Sequence, residues 1–368
     1  MRDEFLKFIS HVINSFSEGV RGNAFGGPKA VSPNFLISTK MSIFYNTISD
    51  AKKVLVVDLG FLGDTIHMLP GLWSIREGLP HARLDVMVGD HIQSLMGVTP
   101  WVDRVLGYPR YPKGPKWYQD IGRVMKLRKE KYDVIINLNG SDRSCFLTFA
   151  IGAPYRLGRV PPREKFITNH CFTHRVKVPY RTMPCYLQRW ECLKKVGFPN
   201  KEPVFNISIP EAVKEKVDKL LAGRRDFVHV SPFTTEDYKG LPLNILARFL
   251  NFIEKPLVIS CAPSERELKK LHQLLPLLKV KPWRVFEGNL SLQELACVIG
   301  SSEKHMGGDS GALHVALMMG VSTLSWFREY PGKVEWLPIG PKHRYLIGEM
   351  SPHGLQKISS EDLQNALG

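Results

Sequence analysis

Three segments of the chain set glycines, hydroxyls and ionisable groups at spacings suited to an anionic ligand. In the first, Val57-Asp58-Leu59-Gly60-Phe61-Leu62-Gly63-Asp64-Thr65-Ile66-His67, an apolar run passes through a glycine loop into a helix start. Gly60 and Gly63 let backbone come close to a ligand, and Asp64 stands at the helix entrance. Asp64 reads equally as a helix N-cap, a role that suits Asp well, and as a carboxylate aimed into a cleft. His67, one turn on, is either a packed histidine or a second cleft residue. The loop has neither the Gly-x-Gly-x-x-Gly spacing of a dinucleotide fingerprint nor the Gly-Lys-Ser/Thr ending of a phosphate loop, which argues against nicotinamide and nucleoside-triphosphate enzymes.

The second segment is Met306-Gly307-Gly308-Asp309-Ser310-Gly311-Ala312-Leu313-His314. A strand ends on glycines, Asp309 and Ser310 can cap a new helix, and Gly311 lets N–H groups at its positive end approach a diphosphate. His314 lies one turn into that helix, as a ligand contact or as a structural residue. The third is Ser231-Pro232-Phe233-Thr234-Thr235-Glu236-Asp237-Tyr238-Lys239-Gly240, between a strand and a helix. Thr234 and Thr235 offer hydroxyls, and Lys239 offers an ammonium for phosphate oxygens or for solvent.

The elements that must position these groups alternate along the chain. Apolar runs at Val54–Val57, Leu84–Val88 and Val134–Leu138 read as buried strands, separated by helical patterns over Thr65–Gly78 and Trp117–Lys131. A second series follows: strands at Phe227–Val230, Leu257–Ser260 and Ser322–Ser325, with helices over Leu243–Ile253, Leu292–Ile299 and Ala312–Met319. Continuous apolar strands alternating with helices predict parallel sheets covered on both faces. The fold class is therefore α/β, two Rossmann-like units facing a central cleft. Residues 1–50 read as an extension, 51–205 as the first unit and 206–368 as the second, with the last helix a candidate to pack back on the first. Within the extension, Glu4–Phe16 carries an amphipathic helical pattern, suited to packing on the body or lying on a membrane, and Gly22–Pro33 reads as a loop.

A length of 368 residues suits two domains of about 150–200 residues each. Six cysteines (Cys145, Cys171, Cys185, Cys192, Cys261, Cys297) form no Cys-x-x-Cys pair and sit beside no histidine at metal-ligand spacing, so reduced thiols are expected. No run approaches the roughly 18–20 apolar residues of a membrane-spanning helix, and a cytoplasmic protein is expected. The net charge of +15 calls for anionic company. It is dispersed, without a basic tract or zinc-finger motif, and so favours a membrane surface or a small polyanion over nucleic acid.

In order and spacing, Leu62-Gly63-Asp64-Thr65-Ile66-His67-Met68-Leu69-Pro70, Thr234-Thr235-Glu236-Asp237-Tyr238-Lys239 and Asp309-Ser310-Gly311-Ala312-Leu313-His314 resemble glycosyltransferase family 9, the lipopolysaccharide heptosyltransferases. The resemblance implies a GT-B fold and inverting transfer of heptose from ADP-heptose to the inner core of lipopolysaccharide. It implies that Asp64 is the general base. It assigns the donor to Gly63, Thr234, Thr235, Lys239, Asp309, Ser310, Gly311 and His314, and more loosely to Glu265 in Ala262-Pro263-Ser264-Glu265 as a ribose contact.

One base suffices for an inverting displacement, and with Lys239 and a helix start available but no Asp-x-Asp before a donor site, no metal or cofactor is expected. Two features depart from the family pattern: the extension before Lys52 and the bulky Phe61 and Leu62. For the acceptor, an anionic glycolipid, the candidates are His67, Arg110, Lys113, Lys116 and Arg143. The protein is expected to act as a monomer associated peripherally with the inner face of the cytoplasmic membrane. Two other readings stay open: the same fold moving N-acetylglucosamine or another hexose, and a non-catalytic basic protein binding anions or lipid.

Overall fold

The computed structural model describes residues 44–109, 117–160 and 170–367. The N-terminal amphipathic pattern, the Gly22–Pro33 loop, Arg110, Lys113 and Lys116 lie outside these residues. Among the described residues, twelve strands form two six-stranded, wholly parallel sheets. The first holds β1 (Lys53–Val57), β2 (Arg83–Gly89), β3 (Arg104–Tyr108), β4 (Val134–Asn137), β5 (Tyr155–Val160) and β6 (His174–Lys177), in the order β3-β2-β1-β4-β5-β6. The second holds β7 (Val228–Ser231), β8 (Leu257–Cys261), β9 (Arg284–Glu287), β10 (Lys304–Gly308), β11 (Ser322–Phe327) and β12 (His343–Ile347), in the order β12-β11-β10-β7-β8-β9. Both orders are doubly wound, as the alternating pattern requires.

The apolar strands are sandwiched because their side chains alternate between faces. Val54 and Val56 of β1 join Leu69, Leu72 and Leu193 in one core cluster, while Leu55 and Val57 pack with Val124, Leu127 and Leu147 on the opposite face. Each such aliphatic side chain contributes about 1.5–3 kcal/mol on burial. The first cluster continues into Ala296, Ile299, Ala312, Val315 and Ala316 of the second unit, so the seam between the sheets is itself apolar.

Three expectations are corrected here. Phe44 and Ile48, assigned to the extension, are buried in the first core, so the packed unit reaches back at least to residue 44. The last helix (Ser360–Leu367) buries Leu363 among Leu246, Leu324 and Leu355 of the second unit, not against the first. The helix expected over Thr65–Gly78 is two helices, Leu62–Ile66 and Leu69–Gly78, because Pro70 lacks an N–H and begins a new first turn.

Candidate functional site

In a doubly wound sheet, ligands gather where neighbouring strands send their loops to opposite sides. In the first sheet that point lies between β1 and β4, whose loops carry Asp58–Asp64 and Asn139. In the second it lies between β7 and β10, whose loops carry Thr234–Lys239 and Asp309–Ser310. The three motifs therefore sit at the two switch points.

Asp64 is not the N-cap of its helix; Phe61 is, and Asp64 is the third helical residue. Its Oδ2 accepts the Phe61 N–H at 3.0 Å, so the carboxylate does cap the turn, from within. Beneath it lies Arg189, from the helix Cys185–Lys195. Arg189 donates through Nη1 to the Asp64 carbonyl, and its Nη2 lies 2.7 Å from Asp58 Oδ2 and 3.6 Å from Asp64 Oδ1. Asp58 Oδ1 accepts the Gly60 N–H at 2.7 Å and Asn139 Nδ2 at 3.4 Å.

Asp58 and Arg189 are fully buried, while the Asp64 side chain keeps 24% of its surface. Burial pushes the Asp58 carboxyl up, and the Arg189 guanidinium pulls it back. For Arg189 burial works against the charge, yet Asp58 holds the guanidinium more firmly protonated than usual. Gly60 is required here: a Cβ would come within 2.2 Å of Asp64 Cβ and 2.7 Å of Asp58 Oδ1.

This loop is pressed against the helix Gly311–Met318 of the second unit. A Cβ on Gly63 would meet His314 Cδ2 at 2.5 Å, and one on Gly311 would meet Leu62 Cδ2 at 2.8 Å. The Tyr186 N–H donates to His67 Nδ1 at 3.2 Å, and His67 Nε2 lies 3.1 Å from His314 Nδ1. A neutral His67 must then carry its proton on Nε2 and donate it, leaving the His314 proton on Nε2, over Gly63.

Both rings pack against Trp336. Burial lowers the pKa of each; His314 lowers that of His67 further, whereas Asp309 and Asp64 act in the opposite sense on His314. The assignment of His67 to the acceptor is corrected: it is 3% exposed with both ring nitrogens engaged inside the protein.

In the second unit, Lys239 Nζ lies 2.9 Å from Asp309 Oδ2, and the Tyr330 hydroxyl donates to the same oxygen at 3.4 Å. Burial, reinforced by Asp309, pushes the Tyr330 hydroxyl up, so it stays a donor. Arg328, at the end of β11, stacks over Tyr238 at 4.8 Å beside this group. Ser310 is the N-cap of the Gly311–Met318 helix, yet its buried Oγ makes no hydrogen bond. Thr234 donates to the Glu236 carbonyl at 2.7 Å, and its own carbonyl accepts from Arg266.

Thr235 is exposed and lines, with Thr234, a cavity that also includes Arg266, Lys270 and Gln356. Glu265 opens the helix Glu265–Leu274 and is exposed, whereas Glu267 is buried and accepts the Ala262 N–H at 2.9 Å. Arg143 is exposed on the first unit and reaches the Tyr108 hydroxyl at 3.4 Å. Sequence reasoning missed Asp58, Arg189, Arg328 and Tyr330. Asp58 and Arg328 carried a usable signal: each directly follows a central strand, at the end where ligands bind. Among the described residues no group of three His, Cys, Asp or Glu side chains converges for a metal, and no helix is long and apolar enough to cross a membrane.

The family model of glycosyltransferase family 9 (heptosyltransferase) matches residues 123–361, more than half of the chain. The chain belongs to this family. The glycosyltransferase is 21% identical over 280 residues to the Haemophilus influenzae lipopolysaccharide core heptosyltransferase OpsX, covering 75% of this chain and 79% of that protein. It is 20% identical to the Escherichia coli lipopolysaccharide heptosyltransferase 3, covering 73% and 81%. Among solved structures, the family 9 glycosyl transferase of Veillonella parvula superposes with a TM-score of 0.73 at 18% identity, covering 86% and 95%. E. coli heptosyltransferase WaaC with ADP gives 0.66 at 16% identity, covering 85% and 96%. These likenesses carry the GT-B architecture of two parallel-sheet units, with its cleft at the strand ends. The matched segment takes in the Lys239 and Asp309–His314 motifs but begins after the Asp64 loop.

Proposed function

We propose that this glycosyltransferase moves heptose from ADP-heptose to the inner core of lipopolysaccharide, with inversion, without a metal, and with Asp64 as general base. The observation that carries the reading is the contact of the Asp64 loop with the helix start that follows Asp309, Gly63 lying against His314. The sugar and the acceptor are taken from what the relatives' names say of those proteins. Asp64, the partly open carboxylate of its loop, takes the proton of the acceptor hydroxyl as that oxygen attacks the anomeric carbon. Inversion needs one such base on the face opposite the leaving group.

Lys239 exchanges its bond to Asp309 for the diphosphate, and Arg328 with the N–H groups at the start of the Gly311–Met318 helix takes up the rest of the developing charge. The chain's +15 charge supports an anionic glycolipid acceptor met at a membrane surface.

The test is ADP release from ADP-heptose in the presence of heptose-deficient core acceptor and of chelator, with Asp64→Ala alongside. Release by the parent and a loss of at least about a thousandfold in Asp64→Ala is the expected result. No release with any heptose-deficient acceptor sinks the heptosyl assignment; undiminished release by Asp64→Ala sinks the mechanism; abolition by chelator sinks the metal-free reading.

A further inference from the structure

Asp58 and Arg189 form a fully buried ion pair directly under Asp64, and two carboxylates there share one guanidinium. Arg189 cannot shed its proton, so taking it out of water demands a partner charge. Asp58, at 2.7 Å, is that partner, held in place by the Gly60 N–H and Asn139. Asp64 is spared the full field of the cation: its Oδ1 stays 3.6 Å from Arg189 Nη2, while Arg189 Nη1 grips its carbonyl and fixes the backbone.

We propose that Asp58 is a positioning residue for the transfer reaction: it neutralises Arg189 so that the guanidinium anchors the Asp64 loop without weakening Asp64 as a base. The proposal rests on the reading of Asp64 as general base. The ionisable groups near Asp64 fit this division. Its own loop supplies Asp58, the Cys185–Lys195 helix supplies Arg189 and Cys185, and the Gly311–Met318 helix supplies His314. Burial holds the Cys185 thiol up at about 11, and burial lowers His314, so both are neutral at physiological pH. That leaves Asp58 and Arg189 as the charged pair in direct contact with the base loop, with Arg159 acting on Asp58 and Asp309 and Lys239 acting on His314 around it. A purely structural ion pair would hold the loop equally well with its charges removed together, and would leave the pH profile alone.

The experiment records kcat/KM against pH, with ADP-heptose and heptose-deficient core acceptor, for the parent, Asp58→Asn, Asp58→Asn/Arg189→Gln and Asp64→Ala. In Asp58→Asn the uncompensated guanidinium should move the acid limb down by about one pH unit or more and lower the plateau about tenfold, with KM for ADP-heptose within about twofold. The double variant, lacking both charges, should return the limb to within about half a unit of the parent. A folded Asp58→Asn with an unmoved limb, beside an inactive Asp64→Ala, overturns the proposal and leaves the base reading standing; a fully active Asp64→Ala overturns both. If Asp58→Asn does not fold by near-ultraviolet circular dichroism, Asp58→Glu carries the test. It keeps the charge and should keep the limb in place, and a displaced limb there overturns the proposal.

Discussion

His67 Nε2 lies 3.1 Å from His314 Nδ1, joining a helix end of the first unit to a helix of the second with both rings out of water. Burial lowers both pKa values, so the folded protein leaves these rings neutral where an unfolded chain, titrating near about 6.5, takes up protons. Below that pH the unfolded state binds more protons, and stability falls with pH through the lowered folded values. The melting temperature should be flat above about pH 7.5 and drop towards pH 5, and His67→Gln should flatten that drop. Equal acid slopes for the two proteins would show that the pair does not titrate on unfolding.

Gly63→Ala tests the closeness of the two units. The new methyl would stand 2.5 Å from His314 Cδ2, so the seam must open or the ring must turn. A cost of about 1–3 kcal/mol in stability is expected from overpacking, and under the proposed mechanism kcat should fall about a hundredfold because the Asp64 loop no longer meets the Gly311–Met318 helix. Urea melts and initial rates check both figures; a variant with parental kcat would mean that the contact is incidental to transfer.

Lys239→Met should raise the KM for ADP-heptose by about tenfold to a hundredfold, the worth of a charge-assisted hydrogen bond of about 1.5–3 kcal/mol. Folding should change little, since Lys239 is partly exposed and the Asp309 it releases still has Tyr330. Added salt should weaken donor binding less in the variant than in the parent. Isothermal titration with ADP at two ionic strengths reads this out, and identical salt slopes would remove Lys239 from the diphosphate site.

Glu265 and Glu267, two residues apart on one helix, should separate binding from folding. Glu265 is exposed at the helix start, and Glu265→Gln should raise the donor KM with the melting temperature unchanged. Glu267 is buried and holds the Ala262 N–H, so Glu267→Met, which has no oxygen to accept that bond, should cost about 1–3 kcal/mol of stability. An unchanged donor KM in Glu265→Gln would dismiss the ribose contact.

The central strands were legible because they are near-continuous apolar runs buried on both faces, as in β1 and β4. The edge strands β6, His174-Arg175-Val176-Lys177, and β12, His343-Arg344-Tyr345-Leu346-Ile347, were not, since one side meets solvent and admits charge. The glycine motifs announced both switch points because close backbone approach leaves no other residue type. Arg189 was invisible: it stands on an amphipathic helix among Gln188, Trp190 and Glu191, where an arginine reads as solvated, and its partners lie in the loop after β1, far away in sequence. His67 offered two readings to the sequence, and only the ring facing it across the seam decided between them.

The Cys185–Lys195 helix also bears on how the two sheets can shift against each other. Gln188 donates to Glu335 of the second unit at 2.7 Å and accepts from Arg159 of the first at 2.5 Å, while its neighbour Arg189 turns inward to the aspartate loop. A hinge motion that parts the sheets would break Gln188 from Glu335 and His67 from His314, yet every bond from Arg189 to Asp58 and Asp64 would travel with the first unit. The Asp64 carboxylate, the base of the proposed mechanism, is thus held by bonds internal to the first unit, and its setting does not depend on how far the two sheets stand apart.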